Sequence, residues 1–410
     1  MKTLLILSQV FLPDPASVGQ HIADVAFEMK RRGHRVVVYT ADRGYEDPTV
    51  EYLRRETMEG VDVRRLPFSS FGKKHIAVRI LGTALFMGQA FVVTLIEPGV
   101  TGLLFSTSPP LIGFVASLAG ALRRVPGAYW AMDLNPDQLL ALGKIKPGRA
   151  PALFLEAVNR FVLRRASLVI ALDRFMAARL RPRADLEGKL SIMAPWPHED
   201  HLAPVDQSEN PFRIAHGLVG KRVIMYSGNH SPSNPLTTLL EAAVRLKDDP
   251  RVVFAFVGGG LGKKEVESTI ANRKLGNALS LPYQPLADLR FSLSAGDVHV
   301  VSLGDDMVGI IHPCKVYGAM AASRPVLFFG PRPSHVSDLL DQHGFGWHVD
   351  HGDVDGALRA LTEILATPPE RLATMGEAGR AALDEGLSQR QICGQLCDEL
   401  EAMMERGAGQ

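Results

Sequence analysis

The chain has 410 residues, of which 46% are hydrophobic, and its formal net charge at pH 7 is +1. This length is sufficient for two domains with full hydrophobic cores. A charge so near zero gives no general attraction to nucleic acid. Three cysteines exclude a disulfide framework, and Cys393 and Cys397 have no histidine nearby that would complete a metal site. The apolar run after Met1 is too short for a signal peptide, so we expect a reduced, cytoplasmic protein.

The first forty residues predict a βαβ unit. Residues 3–8 form a continuous apolar run, which is typical of a strand buried on both faces. We expect a loop over residues 13–21, an amphipathic helix that ends near Arg32, and a second strand over residues 35–40. No G-x-G-x-x-G motif is present, so a dinucleotide-dependent oxidoreductase is not predicted.

Residues 75–96 form a strongly apolar stretch with Gln89 inside it. Its length is close to the roughly 20 residues that a membrane-spanning helix needs. Three interpretations stay open: a buried core helix, a helix that dips into a membrane surface, and a true span. Basic residues near its start would suit anionic lipid headgroups: Lys73, Lys74, His75 and Arg79.

Asp133 follows a predicted strand over residues 128–132 and precedes a turn. Carboxylates at strand ends lie at the edge of open α/β sheets where ligands bind, so Asp133 is a candidate acid–base residue. The alternative is that Asp133 is structural and that Asn135 or Asp137 caps the next helix. The arginines between residues 160 and 183 either form a solvated face or bind an anionic lipid or diphosphate-linked acceptor.

A proline-rich, unperiodic segment over residues 195–211 predicts a linker, and strands and helices alternate again after it. Small-residue loops follow two of these strands, and glycines allow the backbone to approach a ligand or another chain closely. The adjacent Asp305 and Asp306 invite a metal interpretation, but we prefer a turn or a contact to a sugar. The loop residues are Gly228, Asn229 and His230 after one strand and Gly258, Gly259 and Gly260 after the other.

Residues 309–331 read as a loop, a helix from Lys315 to Ala322, and a buried strand over residues 326–329. A loop that enters a helix presents free backbone N–H groups and the positive end of the helix dipole, which suits an anion. Lys315 adds a full positive charge at that point. The sequence therefore predicts a diphosphate pocket at the carboxyl edge of a parallel sheet.

Pro313-Cys314-Lys315, followed by Ala321-Ala322-Ser323-Arg324-Pro325-Val326, resembles retaining glycosyltransferases of sequence family 4. In the bacterial branch that makes surface polysaccharides such as colanic acid, a Pro-Ser-Lys turn enters a helix that is followed by Ala-Ala-Gly-Arg-Pro-Val. The likeness extends over almost the whole chain. It implies the α/β GT-B fold, in which two Rossmann-like domains face across a cleft and the last helix crosses back to the first domain.

The resemblance implies an acceptor-side domain over residues 1–200, with a returning helix at about 388–410, and a donor-binding domain over residues 201–387. It implies transfer from a nucleoside-diphosphate sugar, UDP- more than GDP-, to a hydroxyl of a lipid-linked or polysaccharide precursor. No cofactor or metal is expected, and a peripheral position at the inner face of the membrane is an alternative to a purely cytoplasmic one. The implied catalytic residues are Asp133, Lys315 and His230, and the implied donor-binding residues are Gly19, Gly228, Asn229, Gly258, Gly259, Tyr283, Gln284, Gly309, Ile310, Ile311, His312, Cys314 and Lys315.

The chain departs from the family pattern at two places. Gly318 stands where the family carries a glutamate that grips the donor ribose, and the loop after Ser227 lacks the usual arginine and lysine. Lys315 is then the main cation, with His230 either a second donor or a surface histidine. Tyr283 either stacks on the nucleobase or packs against other residues of the protein. A non-catalytic nucleotide-sugar-binding subunit and a GT-B nucleotide-sugar epimerase remain alternatives.

Overall fold

The computed structural model describes residues 2–14, 16–44, 47, 49–68, 76–198 and 205–408. The chain divides into two compact units. The first unit comprises residues 1–195, 309–311 and 390–410, and the second comprises residues 196–308 and 312–389. Each unit has its own mainly parallel β-sheet with helices between the strands, so the prediction of an α/β protein is confirmed.

Within its described residues the first unit forms an eight-stranded sheet. Its strands are β1 (Thr3–Leu7), β2 (Arg35–Ala41), β3 (Arg55–Met58), β4 (Val61–Leu66), β5 (Gly102–Phe105), β6 (Gly127–Ala131), β7 (Leu168–Ala171) and β8 (Leu190–Ile192). Its helices are α1 (Ser17–Arg31), α2 (Ile76–Ile96), α3 (Ile112–Arg123), α4 (Asp137–Ala141), α5 (Ala150–Arg165) and α6 (Arg174–Leu180). The strand order is β3-β4-β2-β1-β5-β6-β7-β8, and only β3 runs antiparallel to its neighbour.

The second unit forms a six-stranded parallel sheet in its described part. Its strands are β9 (Arg222–Ser227), β10 (Val252–Val257), β11 (Ala278–Leu281), β12 (Val298–Ser302), β13 (Val326–Phe329) and β14 (Gly346–Val349), in the order β11-β10-β9-β12-β13-β14. Its helices are α7 (Pro211–Ala215), α8 (Thr237–Arg245), α9 (Lys263–Arg273), α10 (Leu289–Ala295), α11 (Lys315–Ala321), α12 (His335–His343), α13 (Val354–Ala366) and α14 (Pro369–Gly386). The last helix is α15 (Gln389–Ala408).

The central strands are apolar throughout because helices cover both faces of each sheet. Every residue of β1, β6 and β7 is buried in the first unit, as is every residue of β12 and β13 in the second. Burial on both faces explains why these strands were recognised as continuous apolar runs. The carboxyl ends of parallel strands meet at one edge of a sheet, and the loops that follow them therefore lie side by side.

The structure differs from the prediction at two elements of the first unit, α1 and β3. Helix α1 begins at Ser17, so the second half of the predicted loop over residues 13–21 is helical. Strand β3 was not predicted, because its four residues, Arg-Glu-Thr-Met, alternate between exposed and half-buried positions and carry two charges. It pairs at the sheet edge with β4.

The apolar stretch over residues 75–96 is helical as predicted, since α2 accounts for nearly all of it. Among the described residues, no helix combines the length and the apolar character needed to cross a membrane. Phe86 and Ala90 of α2 are buried, whereas Ile80, Val92 and Ile96 are more than half exposed. The basic residues 73–75 and the side chain of Arg79 lie outside the described part of the chain.

Helix α15 packs within the first unit from Arg390 onward. Leu396 and Leu400 are fully buried on one face of the helix. On its polar side, the guanidinium of Arg32 donates to Asp398 (2.6 Å) and Glu401 (2.9 Å). A Cβ atom on Gly102 of β5 would lie 2.5 Å from the Cγ of Met404, so a glycine is needed where the helix crosses the start of this strand.

Candidate functional site

Three loops of the second unit are joined at the carboxyl edge of its sheet. The N–H of Gly228 donates to the carbonyl of Val257 (2.9 Å), and the N–H of His230 donates to the carbonyl of Gly259 (2.7 Å). The N–H of Gly258 donates to the carbonyl of Leu281 (2.9 Å). The loops after β9, β10 and β11 thus form one continuous backbone surface, and it contains six of the thirteen residues that were predicted to bind a donor.

The glycines of these loops are required by the contact between the loops themselves. Gly258 has a φ of +130°, and a Cβ atom there would lie 2.1 Å from the carbonyl oxygen of Gly228. Gly260 has a φ of +114°, and its Cβ atom would lie 2.1 Å from the Oδ1 of Asn229. Side chains at either position would separate the loops, so these glycines set the shape of the surface.

Lys315 extends across the first of these loops. A Cβ atom on Gly228 would lie 2.8 Å from its Cε, and its Nζ lies 5.1 Å from the ring centroid of Tyr226, which is a cation–π distance. No described carboxylate lies within ion-pair distance of this ammonium group. The cation therefore lies beside the glycine loop without an acidic partner from the described chain, as an anion-binding group would.

Some of the N–H groups that were predicted to be free at the start of α11 have local partners. The N–H groups of Cys314, Val316 and Tyr317 donate to local carbonyls at distances of 3.0, 3.2 and 3.1 Å. The helix has seven residues, ends at Ala321, and lacks a side-chain cap. The Cys314 side chain is exposed. The backbone N–H of Lys315 has no such partner among the described residues, so that N–H group and the Lys315 ammonium group are both available to an anion at this point.

His230 is not a surface histidine, because it is only 1% exposed. Its Nδ1 lies 3.3 Å from the carbonyl oxygen of Gly259, and its Nε2 has no hydrogen-bond partner among the described residues. Burial lowers the pKa of the imidazole, and the positive charges of Lys263 and Lys315 act in the same direction. A neutral ring that donates from Nδ1 to a carbonyl has an acceptor at Nε2, so His230 carries no positive charge that could stabilise a phosphate, and its Nε2 is fully buried.

Tyr283 lies against the glycines of the second loop and is 57% exposed. A Cβ atom on Gly259 would lie 2.8 Å from its Cε2, so the ring covers this glycine. Gln284 donates from its side chain to the carbonyl of Pro282 (3.0 Å). Lys263, which the sequence analysis missed, donates from Nζ to the carbonyls of Gly258 (2.5 Å) and Leu281 (2.6 Å) and so ties two loops together. Its position three residues after the last of the three glycines was the available signal.

His312, predicted as a donor-binding residue, is held by residues that were not predicted. Its Nε2 lies 2.8 Å from the hydroxyl of Tyr317, which in turn lies 2.8 Å from the Nε2 of His335. The rings of His312 and Tyr317 are stacked at an interplanar angle of 12°. These contacts fix the segment that leads into Lys315. A Cβ atom on Gly318 would have no other atom within 4 Å, so the space of the family's glutamate is open.

The first unit contains Asp133 two residues after the carboxyl end of β6. Its N–H donates to the hydroxyl of Thr107 (3.3 Å). The carboxyl retains some exposed surface, yet surrounding protein atoms desolvate it and raise its pKa to about 6. The alternative with Asn135 or Asp137 as a helix cap is wrong, because the N-cap of α4 is Pro136 and no side chain caps it. Asp137 instead pairs with Arg183 (2.6 Å).

Four other predicted site residues belong to the first unit. Gly19 lies in the first turn of α1, where its N–H donates to Ala16, and a Cβ atom there would be 3.2 Å from the backbone nitrogen of Phe11. Residues 309–311 also group with this unit. The carbonyl of Ile310 accepts from the N–H of Leu134 (2.9 Å), the residue after Asp133. The structure thus places Gly309, Ile310 and Ile311 in a different unit from His312, Cys314 and Lys315.

The raised pKa of Asp133 predicts a pH-dependent stability. In the folded protein the Asp133 carboxyl keeps its proton up to about pH 6, whereas in the unfolded chain the same carboxyl loses its proton near pH 4. The free energy of unfolding of the wild type therefore falls as the pH rises from about 4 to about 6. Asp133→Asn should remove this loss. By urea unfolding, the variant should match wild type near pH 4 and exceed it by on the order of 2–3 kcal/mol near pH 7.5.

The matched control is Asp306→Asn, which changes an exposed carboxyl and should shift stability by no more than about 0.5 kcal/mol at either pH. If the difference in stability between Asp133→Asn and wild type were the same at both pH values, the raised pKa would be contradicted.

Comparison with known proteins agrees with this architecture. A glycosyl transferase 4-like domain matches residues 17–187, and a glycosyl transferases group 1 domain matches residues 209–382. The chain is 25% identical over 395 residues to the probable glycosyltransferase WbjE of Pseudomonas aeruginosa, covering 95% of both proteins. It is 24% identical over 412 residues to the putative colanic acid biosynthesis glycosyl transferase WcaI of Escherichia coli K12, covering 95% of this chain and 98% of WcaI.

Among solved structures, Anabaena HepE in complex with UDP and glucose is similar to this chain with a TM-score of 0.71 at 16% sequence identity. The alignment covers 98% of this chain and all of HepE. The predicted resemblance is confirmed: the chain belongs to the glycosyltransferases that combine a glycosyl transferase 4-like domain with a group 1 domain, and it has the GT-B fold.

Proposed function

We propose that this glycosyltransferase moves a sugar from a UDP-sugar to a hydroxyl of a lipid-linked or polysaccharide precursor, with retention of configuration at the anomeric carbon. The observation that carries the proposal is the ammonium group of Lys315. It lies over Gly228 without a described acidic partner, beside loops that expose backbone and glycine rather than bulky side chains. This is the environment that a departing diphosphate requires.

We assign donor binding to the second unit, within the predicted bounds 201–387. The acceptor side is assigned to the first unit, with residues 1–200 and the returning helix at about 388–410. The support for the donor assignment is that Lys315, His230 and Tyr283 all border the three joined loops of one sheet edge. The support for the acceptor assignment is Asp133, a carboxyl at a strand end with a pKa near 6.

In the proposed reaction, the bond between the anomeric carbon and the diphosphate oxygen breaks, and the electron pair leaves with the diphosphate. Lys315 stabilises the added negative charge. The acceptor oxygen forms its bond to the anomeric carbon on the face from which the diphosphate leaves, and its proton passes to the departing phosphate or to Asp133. With a pKa near 6, Asp133 is mainly ionised at neutral pH and can orient the hydroxyl or accept this proton.

UDP is the proposed nucleotide for two reasons. The structure of HepE, which shares the fold, contains UDP and glucose. In this chain the ring of Tyr283, which is 57% exposed, covers Gly259 at the edge of the loops, where a base could stack on it. The polysaccharide precursor is proposed because WcaI is named for colanic acid biosynthesis.

A lipid-linked acceptor is supported by the distribution of exposed apolar side chains. More than half of the large apolar side chains that are exposed in the described residues lie on α2, α3 and α5 of the first unit, where α3 packs against both other helices. A concentration of this kind marks an interaction surface. We propose that it contacts a lipid surface and call it the apolar helix face; its residues are Ile80, Leu81, Leu85, Val92, Ile96, Phe114, Leu122, Leu153 and Phe154.

Lys315→Ala should reduce release of UDP from a UDP-sugar by at least about a hundredfold in the presence of acceptor, because the leaving diphosphate loses its cation. Donor binding should weaken as well. The assay measures free UDP with and without a lipid-linked acceptor. Lys247→Ala removes an exposed lysine of the same unit and should retain wild-type turnover.

In the same assay Asp133→Asn should lower turnover while leaving donor affinity unchanged, which separates the acceptor role from the donor role.

Near-normal turnover of Lys315→Ala would show that Lys315 is not part of the site. Donor binding by wild type without any acceptor-dependent UDP release would contradict transfer itself.

The apolar helix face predicts binding to acidic vesicles. Leu153→Ser with Phe154→Ser removes two side chains that are each 60% exposed and should weaken co-sedimentation with phosphatidylglycerol vesicles by about tenfold or more. The matched control, Ile214→Ser with Leu261→Ser, removes exposed apolar side chains of the second unit and should sediment like wild type. Equal losses in both pairs, or no sedimentation of wild type, would refute a lipid contact through this face.

A further inference from the structure

A buried ion pair holds the end of the turn that carries Asp133. The carboxylate of Asp137, four residues after Asp133, accepts a hydrogen bond from the Nη2 of Arg183 at 2.6 Å. Asp137 is buried, and only 14% of the Arg183 side chain is exposed. Asp137 begins α4, whereas Arg183 follows α6, so the pair joins the turn to a different segment of the first unit.

Two hydrogen bonds hold the middle of the same turn. The N–H of Leu134 donates to the carbonyl of Ile310 (2.9 Å), and the Nδ2 of Asn159 on α5 donates to the carbonyl of Asn135 (3.3 Å). The side chains of Leu134 and Asn159 are both buried. The backbone on either side of Asp133 therefore has a defined position, and the ion pair is the charged part of this arrangement.

The ion pair lies in the same neighbourhood as the Asp133 carboxyl. Burial raises the pKa of the Tyr129 hydroxyl, and the negative charges of Asp133 and Asp137 act in the same direction, while the positive charge of Arg183 opposes them. Tyr129 belongs to β6, the strand that leads to Asp133. Since one buried hydroxyl is influenced by all three charged groups, a displacement of the pair would reach the Asp133 carboxyl.

The pair is not an efficient way to stabilise the fold. The Oδ2 of Asp137 and the Nη1 of Arg183 are buried and have no hydrogen-bond partner among the described residues. Burying polar atoms without partners is unfavourable, and the desolvation of two charges can exceed their attraction. Apolar side chains of similar volume are often as stable as a buried ion pair or more so. Stability alone therefore does not account for these two residues.

We propose that the Asp137–Arg183 ion pair positions the Asp133 carboxyl for the acceptor hydroxyl and contributes to turnover rather than to stability. This inference rests on the proposed acceptor role of Asp133. A guanidinium and a carboxylate meet in a narrow geometry, which an apolar contact does not impose. A displacement of about 1 Å at a reacting group can cost about a hundredfold in rate. Asp137 and Arg183 act through Asp133 and are positioning residues.

The test replaces the pair by Asp137→Val with Arg183→Met, which we call the apolar-pair variant. Acceptor-dependent release of UDP should fall about tenfold or more, donor affinity should stay within about twofold, and the unfolding temperature should be unchanged or higher. The neighbouring charges tolerate the change: Glu156 keeps its ion pair with Arg160 (2.9 Å), and the Arg179 side chain is 39% exposed to water.

A second measurement asks whether the pair acts through Asp133. In the Asp133→Asn background, the apolar-pair substitutions should change turnover by less than about twofold, because the carboxyl that they misplace is already absent. A purely structural role would give the same loss in both backgrounds.

A third measurement needs no substrate. Amide hydrogen exchange at Leu134 should be about tenfold faster in the apolar-pair variant than in wild type, whereas exchange in β6 should be unchanged. Arg183→Lys is a milder change that keeps the charge but loses the planar pair of donors, and it should lower turnover about threefold or more. It tests the same role if the apolar-pair variant does not fold.

The matched control is Glu187→Val with Arg164→Met, which removes two exposed charges of the first unit by the same kinds of substitution. Turnover, exchange at Leu134 and the unfolding temperature should all equal those of wild type.

Four results would overturn the role of the ion pair: wild-type turnover of the apolar-pair variant, an equal loss in both backgrounds, unchanged exchange at Leu134, or a loss of turnover that is matched by a lower unfolding temperature. If wild type itself releases no UDP with acceptor present, the proposed function fails. If wild type turns over and the apolar-pair variant does so equally well, only the role of the ion pair fails.

Discussion

The close approach of two backbone loops at the carboxyl edge of the second sheet is the constraint on which the candidate donor site depends. The backbones of Gly258 and Gly228 are in contact and leave no room for a side chain at Gly258. Gly260 likewise packs against Asn229 without room for a side chain. This contact brings the ends of β9 and β10 together, and Lys263 joins them to the end of β11 through two carbonyls. The result is a backbone surface with few side chains, across which the ammonium group of Lys315 extends.

Positive charge at this surface is concentrated in few groups. The usual arginine and lysine of the loop after β9 are absent, and the N–H groups of Cys314, Val316 and Tyr317 at the start of α11 already have carbonyl partners. His230 is buried with a lowered pKa, so its ring contributes an acceptor rather than a charge. A diphosphate bound here would thus depend on the Lys315 ammonium group for most of its charge stabilisation. The His312–Tyr317–His335 contacts explain how the segment before Lys315 is held.

The sequence predicted the α/β alternation and the main strands well, because strands that are buried on both faces are continuous apolar runs. The predictions were wrong or incomplete where residues near in sequence indicated a different structure, or where the contact joins residues far apart in sequence. Prolines and Gly19 suggested a loop up to His21, but α1 begins at Ser17, since the glycine lets the helix pack on the backbone of Phe11. Tyr317 and His335 are eighteen positions apart, and only the fold brings their polar atoms together. Burial of His230 likewise depends on neighbouring loops that a local pattern does not reveal.

The most direct test of the central claim is calorimetric binding of UDP, GDP and ADP to the purified protein. UDP should bind measurably and at least about tenfold more tightly than ADP, with GDP weaker than UDP, and Lys315→Ala should lose most of this affinity. If none of the three nucleotides binds, the joined loops and Lys315 do not form a donor site, and the central claim is wrong.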